Sequence, residues 1–201
     1  MKLYQHYSLY GFANVYLVGN DETREAIVVD PSEMNAALLG QIEKGGYDLR
    51  AVLVTHNHGH HVRGLKTLLK IYDATVYAAN AQVGGFPCRA VRDGESFPAC
   101  GLTVDAYSVP GHSPDSMVYR IDRLLFTGDA LHAGLIGRTL SPYNAVVLAE
   151  RLRARILDQA DDCVILPGHG PPSTVGTERR YNVGLQPGYA ERMTSRYDFF
   201  V

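Results

Sequence analysis

The chain has 201 residues, a length that fits one domain with room for a large hydrophobic core. Its formal net charge of −2 argues against non-specific binding to nucleic acid and against a basic membrane anchor. No apolar run approaches the roughly 20 residues that cross a bilayer, and the first residues lack the pattern of a signal peptide. The widely spaced Cys88, Cys100 and Cys163 are interpreted as free thiols, so the sequence predicts a cytoplasmic protein.

Short β-branched runs alternate with a few helical segments along the chain. Predicted strands cover residues 14–18, 26–30, 51–55, 75–77, 102–109, 117–121, 124–127 and 163–166. Predicted helices cover residues 34–44, 62–72 and 145–157, each with apolar residues recurring on one side. Because the sequence contains no repeat, linker or low-complexity stretch, we predict a single domain over residues 1–201.

Six of the eight histidines fall within three short motifs. The first is HNHGHH at residues 56–61, the second is PGHSPDS around His112, and the third is PGHG around His169. Between the last two, Asp129 adds a carboxylate. Each motif follows a predicted strand, where loops of α/β proteins commonly build their sites. Imidazole and carboxylate groups bind zinc and iron, so this set predicts a metal centre.

The spacing inside the first motif favours two groups of ligands. In an extended segment His56 and His58 point to the same side, because side chains alternate with a period of two. His60 and His61 come after Gly59, a residue that lets the chain turn and offer ligands to a second point nearby.

The ordered motifs resemble those of the metallo-β-lactamase superfamily, and within it the short glyoxalase II-like hydrolases. That family carries THxHxDH, a GHTPGS-like motif, a strand ending in GD and a late PGHG, which match residues 55–61, 111–116, 128–129 and 167–170. The resemblance covers about residues 10–182 and leaves a C-terminal tail at residues 183–201. It implies an α/β (α+β) fold, the four-layer αβ/βα sandwich of two mixed sheets with helices outside.

The resemblance also implies a set of metal ligands. These are His56, His58 and His112 for a first ion, His61, His169 and the residue at position 60 for a second ion, and Asp129 as a bridge between the two. Zinc is the expected metal, one or two ions per chain, with iron or manganese as alternatives. His60 departs from the family, which has Asp at this position, and the change removes one negative charge. We therefore expect the second ion to be held less firmly than the first.

Several residues have more than one interpretation. His60 is either a ligand of the second ion or a residue that hydrogen-bonds the nucleophilic water, and it is predicted to be catalytic together with Asp129. His132 stands where the family usually has Phe, and it is a candidate for substrate binding or a polar replacement on the pocket wall. Arg179 and Arg180 are candidates for holding an anionic substrate, against the ordinary interpretation of solvated helix charges.

The resemblance implies a hydrolase in which a metal-bound hydroxide attacks a thioester, ester or lactone of a small metabolite. True glyoxalase II is not expected, because the sequence ends soon after His169 without the helical domain that grips glutathione. One alternative is a mononuclear non-haem iron enzyme similar to persulfide dioxygenases, since two histidines and one carboxylate suit that chemistry. Another is a catalytically weak metal-binding member. The expected partner is a small-molecule substrate, without nucleic acid or membrane, and a homodimer is left open.

Overall fold

The computed structural model describes residues 1–189, so the predicted tail lies outside the described residues from position 190 onward. The strands in chain order are β1 (Lys2–Tyr7), β2 (Asn14–Gly19), β3 (Glu25–Val29), β4 (Asp48–Leu53), β5 (Thr75–Ala78), β6 (Gln82–Val83), β7 (Phe86–Pro87), β8 (Arg89–Ala90), β9 (Ser96–Ala99), β10 (Leu102–Ser108), β11 (Met117–Ile121), β12 (Leu124–Gly128), β13 (Leu131–His132), β14 (Leu135–Ile136), β15 (Val164–Pro167) and β16 (Ser173–Thr174). The helices are α1 (Ala36–Gly45), α2 (Gly59–Val62), α3 (Leu65–Ile71), α4 (Pro142–Arg155), α5 (Val175–Tyr181) and a 3₁₀ helix (Val183–Leu185).

Most strands form two six-stranded mixed sheets. The N-terminal sheet has the strand order β1-β2-β3-β4-β5-β8, and the C-terminal sheet has the order β16-β15-β12-β11-β10-β9. Parallel pairs join β3 to β4, β4 to β5 and β5 to β8 in the N-terminal sheet, and β12 to β15 in the C-terminal sheet. The strand pairs β6-β7 and β13-β14 form small hairpins outside the two sheets.

Both faces of each sheet are covered, which explains why the strands are almost continuously apolar. Along β2, Tyr16 and Val18 join the core cluster between the two sheets, where Phe126 of the C-terminal sheet also lies. The alternate residues Val15 and Leu17 join a second cluster beneath α1 and α3. This alternation follows from the two-residue period of a strand.

On the outer face of the C-terminal sheet, α4 buries Leu148 and Leu152 against Val118 and Leu125. Full burial of one such aliphatic side chain contributes about 1.5–3 kcal/mol. The layers are therefore helix, sheet, sheet and helix. The predicted four-layer α/β sandwich is confirmed.

Several element boundaries differ from the prediction. The helix predicted over residues 62–72 begins later, as α3 at Leu65, and it is separated from the short α2 at Gly64, whose N–H donates to the carbonyl of Pro31 at 2.8 Å. A Cβ at Gly64 would lie 2.6 Å from that oxygen, so packing against the preceding loop fixes the break. Strands β1 and β9 and helix α5 were not predicted. The side chain of Thr174 caps α5 by accepting from the N–H of Thr177.

Within residues 1–189, no helix is long and apolar enough to cross a membrane. The three cysteines are free thiols, as predicted. Cys100 and Cys163 are buried in core clusters, whereas Cys88 is partly exposed.

Candidate metal centre

The predicted metal-binding residues meet at one end of the sandwich, because each follows a strand that ends there. His56 and His58 come after β4, and the next turn of chain, α2, carries His60 and His61. From the C-terminal sheet, β10 is followed by His112, β12 by Asp129 and β15 by His169. All seven residues are brought together, with ligands from both sheets.

Asp129 stands at the middle of this cluster, and its side chain is 7% exposed. Its Oδ2 atom lies 3.8, 3.5, 3.6 and 3.5 Å from the Nε2 atoms of His56, His60, His112 and His169, respectively. Its Oδ1 atom lies 3.2 Å from Nε2 of His61 and 3.8 Å from Nε2 of His132. One buried carboxylate is therefore surrounded by six imidazole rings.

The donor atoms form two overlapping sets, each with all atoms within 4.8 Å of one another. The first set is His56, His58, His112 and Asp129, and the second is His56, His60, His61 and Asp129. The first matches the ligands that the resemblance implies for one ion. In the second, His60 lies among the donor atoms, which favours its interpretation as a ligand.

Unpartnered polar atoms test whether these residues fit a metal. Nε2 of His56, Nε2 of His61 and Oδ1 of Asp129 are buried and have no hydrogen-bond partner. Buried polar atoms nearly always have a partner, so three unpartnered atoms around one carboxylate fit the ligands of a cation. Imidazole nitrogens with one carboxylate are the donor set that zinc and iron accept, and the residues therefore fit a metal ion.

Hydrogen bonds on the far side of the rings orient several Nε2 atoms toward the centre. Nδ1 of His112 donates to the carbonyl of Arg138 at 2.7 Å, and Nδ1 of His169 donates to the carbonyl of Phe12 at 2.9 Å. Nδ1 of His56 lies 3.0 Å from the Thr55 hydroxyl. These contacts fix the tautomer in which Nε2 is free to bind a metal.

Burial favours the neutral form of three of the imidazoles, which is the form that binds metal. Burial lowers the pKa of His56 to about 2, and it also lowers the pKa of His60 and of His112. The pKa of His169 is instead raised, chiefly by the carboxylate of Asp129 beside it.

The central carboxylate is anionic at pH 7. Burial opposes the ionisation of Asp129, but the neighbouring rings of His132, His169 and His61 outweigh it and hold the pKa well below its usual range. A permanent negative charge therefore sits between the two donor sets, where it can neutralise part of the charge of bound cations.

A family profile for the Metallo-beta-lactamase superfamily matches residues 10–87 and 90–169, which include every predicted metal-binding residue. The chain belongs to the metallo-β-lactamase superfamily. Members of this superfamily bind metal ions, which agrees with the cluster of histidines around Asp129.

Relatives within the superfamily cover most of the chain. It is 28% identical over 193 residues to the hydroxyacylglutathione hydrolase GloC of Haemophilus influenzae, covering 84% of this chain and 91% of that protein. It is 31% identical over 163 residues to the probable polyketide biosynthesis zinc-dependent hydrolase BaeB of Bacillus velezensis, covering 77% and 71%. Among solved structures, ETHE1 from Myxococcus xanthus matches with a TM-score of 0.87 at 25% identity, covering 100% of this chain and 92% of that chain.

Asp30 supports the superfamily's metal centre from behind His61. Its Oδ2 atom lies 3.0 Å from Nδ1 of His61, and its two oxygens also accept from the backbone N–H and the hydroxyl of Thr55 at 2.8 and 2.6 Å. Burial lowers the pKa of His61, but Asp30 and Asp129 outweigh it and raise the pKa to about 10. His61 is therefore protonated at pH 7 in the metal-free protein and must lose that proton to bind an ion.

We expect Asp30→Asn to weaken binding of the second ion by about tenfold or more, because it removes the charge that orients His61. The pKa of His61 should fall, so zinc binding at pH 7 should release fewer protons than in the wild type. Calorimetric titrations in two buffers of different ionisation enthalpy measure both quantities. Asp162→Asn, at a carboxylate that is 60% exposed, is the matched control. Unchanged affinity and unchanged proton release in Asp30→Asn would contradict this role.

Two contacts that support the cluster were not predicted from the sequence. The side-chain amide of Asn14 donates to the carbonyls of Pro167 and Gly170 at 2.9 and 2.8 Å, and so holds the loop that carries His169. Gly168 in the same loop leaves no room for a side chain, since a Cβ there would lie 2.5 Å from Cε1 of His61. The sequence signal for Asn14 was its position as a polar residue inside the otherwise apolar run 13–18.

The predicted substrate-binding arginines make contacts elsewhere. Arg179 donates to the carbonyls of Leu157 and Gln159 and pairs with Asp161, and Arg180 lies 3.5 Å from the same carboxylate. These partners precede β15, whereas His169 follows that strand. The contacts of Arg179 favour a structural role, and substrate binding by either arginine stays a prediction.

Proposed function

We propose that this protein is a metal-dependent hydrolase that cleaves a thioester, ester or lactone bond of a small metabolite. The observation that carries the proposal is the ring of six imidazoles around the buried, anionic Asp129, with orphaned donor atoms pointing inward. Two relatives support it, because their names describe a hydroxyacylglutathione hydrolase and a zinc-dependent hydrolase.

His56, His58, His112 and Asp129 would hold a first ion, and His60, His61, His169 and Asp129 would hold a second. When bound, such an ion lowers the pKa of a coordinated water and polarises the scissile carbonyl. Asp129 contributes the fixed negative charge. His60, whose side chain is 32% exposed, lies at the open side of the cluster and can accept a proton only while it is uncoordinated.

A loop with exposed apolar side chains lies against His60 and His169. Phe12 lies beside the site, since its carbonyl accepts from Nδ1 of His169, and its side chain is 65% exposed. Leu9 is 77% exposed in the same loop. Exposed apolar side chains next to a metal centre suit the hydrocarbon part of a small ester or thioester, in the way that ligand pockets are usually lined.

The direct test is turnover by protein purified without a chelator, after its metals have been identified and counted. We expect zinc, and hydrolysis of at least one compound in a panel of thioesters, esters and lactones that is lost on metal removal and restored by zinc. Full metal loading without turnover on the whole panel would contradict the proposal and favour a metal-binding role. A single iron per chain would favour the dioxygenase alternative instead.

The pH dependence gives a second test. With zinc bound, kcat/KM should rise through an acid limb with a midpoint of about pH 7, because zinc lowers the pKa of coordinated water to about that value. Burial lowers the pKa of His56 to about 2 and also lowers that of His112, so protons should displace the first ion only below this midpoint. Initial rates and metal content measured in parallel from pH 5 to 9 check both points. A flat profile would argue against this nucleophile.

A further inference from the structure

We infer that His132 is an additional ligand of the second metal ion, which would then be held by four imidazoles and Asp129. This inference rests on the proposed metal centre and adds to it a residue that the superfamily resemblance does not place among the ligands. Its basis is the position of one nitrogen atom and the way its loop is held.

Nε2 of His132 is buried, has no hydrogen-bond partner and lies 3.8 Å from Oδ1 of Asp129. The same oxygen is unpartnered and lies 3.2 Å from the unpartnered Nε2 of His61. Two donor atoms that each lie about 2.1 Å from one zinc ion are at most about 4.2 Å apart. Oδ1 of Asp129 thus has two unpartnered imidazole nitrogens near it, each at a separation that permits a shared ion.

The ring of His132 lies next to that of His169, which the resemblance assigns to the second ion. The centre of the His169 ring lies 6.1 Å from that of His132, and 5.2 and 5.5 Å from those of His60 and His61. Nε2 of His169 also faces Asp129, at 3.5 Å from Oδ2. His132 therefore neighbours His169, and both rings lie beside the carboxylate of Asp129.

The hairpin β13-β14 that carries His132 is anchored on both sides. The Thr127 hydroxyl donates to the carbonyl of Leu131 at 2.8 Å, and the Asn182 side chain donates to the carbonyl of His132 at 3.3 Å. The N–H of Gly134 donates to the carboxylate of Glu178, a residue that is 1% exposed, at 2.9 Å. A ligand on such a support is positioned before the ion arrives.

The two alternatives for His132 fit these observations less well. A residue that contacts substrate should present a polar atom to the solvent side, but Nε2 of His132 is buried. A structural hydrogen bond to Asp129 is not formed either, because the 3.8 Å between Nε2 of His132 and Oδ1 of Asp129 is too long. Coordination by His132 would also give the second ion an additional ligand at a site where His60 replaces the family's Asp. The second ion should then be held more firmly than the sequence of the first motif alone predicts.

The test is a titration of metal-free protein with cobalt(II), which replaces zinc and has visible absorption that reports its ligands. We compare the wild type with His132→Phe, with His132→Gln as a smaller polar change in case the first fails to fold, and with His6→Phe as the control. His6 lies on β1, outside the cluster, and is also partly buried. Bound cobalt is counted by equilibrium dialysis.

We expect two cobalt ions in the wild type and in His6→Phe. In His132→Phe the first should bind unchanged, while the second should bind at least about tenfold more weakly and with an altered spectrum. An unchanged second affinity and spectrum in a folded His132 variant would overturn the inference but leave the proposed hydrolase intact. Failure of the wild type to bind any cobalt would overturn both.

Discussion

Asp129→Ala should release both metal ions and lower turnover by about 10³-fold or more, since bound metal supplies several kcal/mol of transition-state stabilisation. Both donor sets contain Asp129 and no other carboxylate, so the substitution removes the negative charge from each at once. It also leaves the protonated His61 without one of its two carboxylate neighbours, which adds repulsion against an incoming cation.

Metal analysis and circular dichroism of the purified variant check this prediction. Folding should survive, because the three hydrophobic core clusters do not include Asp129. His112→Ala should likewise lose metal and activity. Asp162→Ala, at an exposed carboxylate paired with Arg123, should keep both. Full metal content in Asp129→Ala would refute the bridging assignment.

Gly168→Ala is expected to have the next largest effect on activity, although Gly168 has no side chain that could bind a metal ion. A Cβ at this position would lie 2.5 Å from Cε1 of His61 and 2.6 Å from Oδ1 of Asp129, closer than such atoms can approach. The side chains of His61 and Asp129 cannot easily move away, because both are buried among the other histidines of the cluster. One of them must therefore move, and a displacement of this size costs about 10²-fold in activity.

The matched control for this substitution is Gly59→Ala. Gly59 lies inside the first histidine motif, yet nothing lies within 4 Å of its hypothetical Cβ, so metal content and activity should be retained. Metal counting and kcat/KM for both variants provide the comparison. If Gly168→Ala kept two ions and full activity, the close packing of this loop on His61 would not be needed for the site.

The sequence predicted the long apolar strands and the order of the metal motifs, because both depend on local pattern. The strands β2, β3, β4 and β12 alternate or run apolar between turns, and each motif follows such a strand. β1 was missed because it is an edge strand whose residues are mostly exposed, and only pairing with β2 defines it. A strand can be recognised from the sequence when its burial requires a pattern of apolar residues.

The parts of the site that depend on distant contacts were less predictable. Spacing could show that His132 comes three residues after Asp129, but only the hairpin anchored by Glu178 and Asn182 turns its ring toward the cluster. The same holds for Arg179, whose bond to the carbonyl of Leu157 joins residues 22 positions apart. Hydrogen bonds between residues far apart in the chain produce no periodic pattern in the sequence.

The supply of ligands from both sheets has a consequence for the stability of the protein. His56 and His58 follow the N-terminal sheet, whereas His112 and Asp129 follow the C-terminal sheet, so each ion cross-links the two halves of the chain. The unfolded chain does not assemble these donors. Bound metal therefore adds about 4 kcal/mol to the free energy of unfolding when its free concentration exceeds the dissociation constant a thousandfold. Scarcity of the metal would then shorten the protein's survival against proteases.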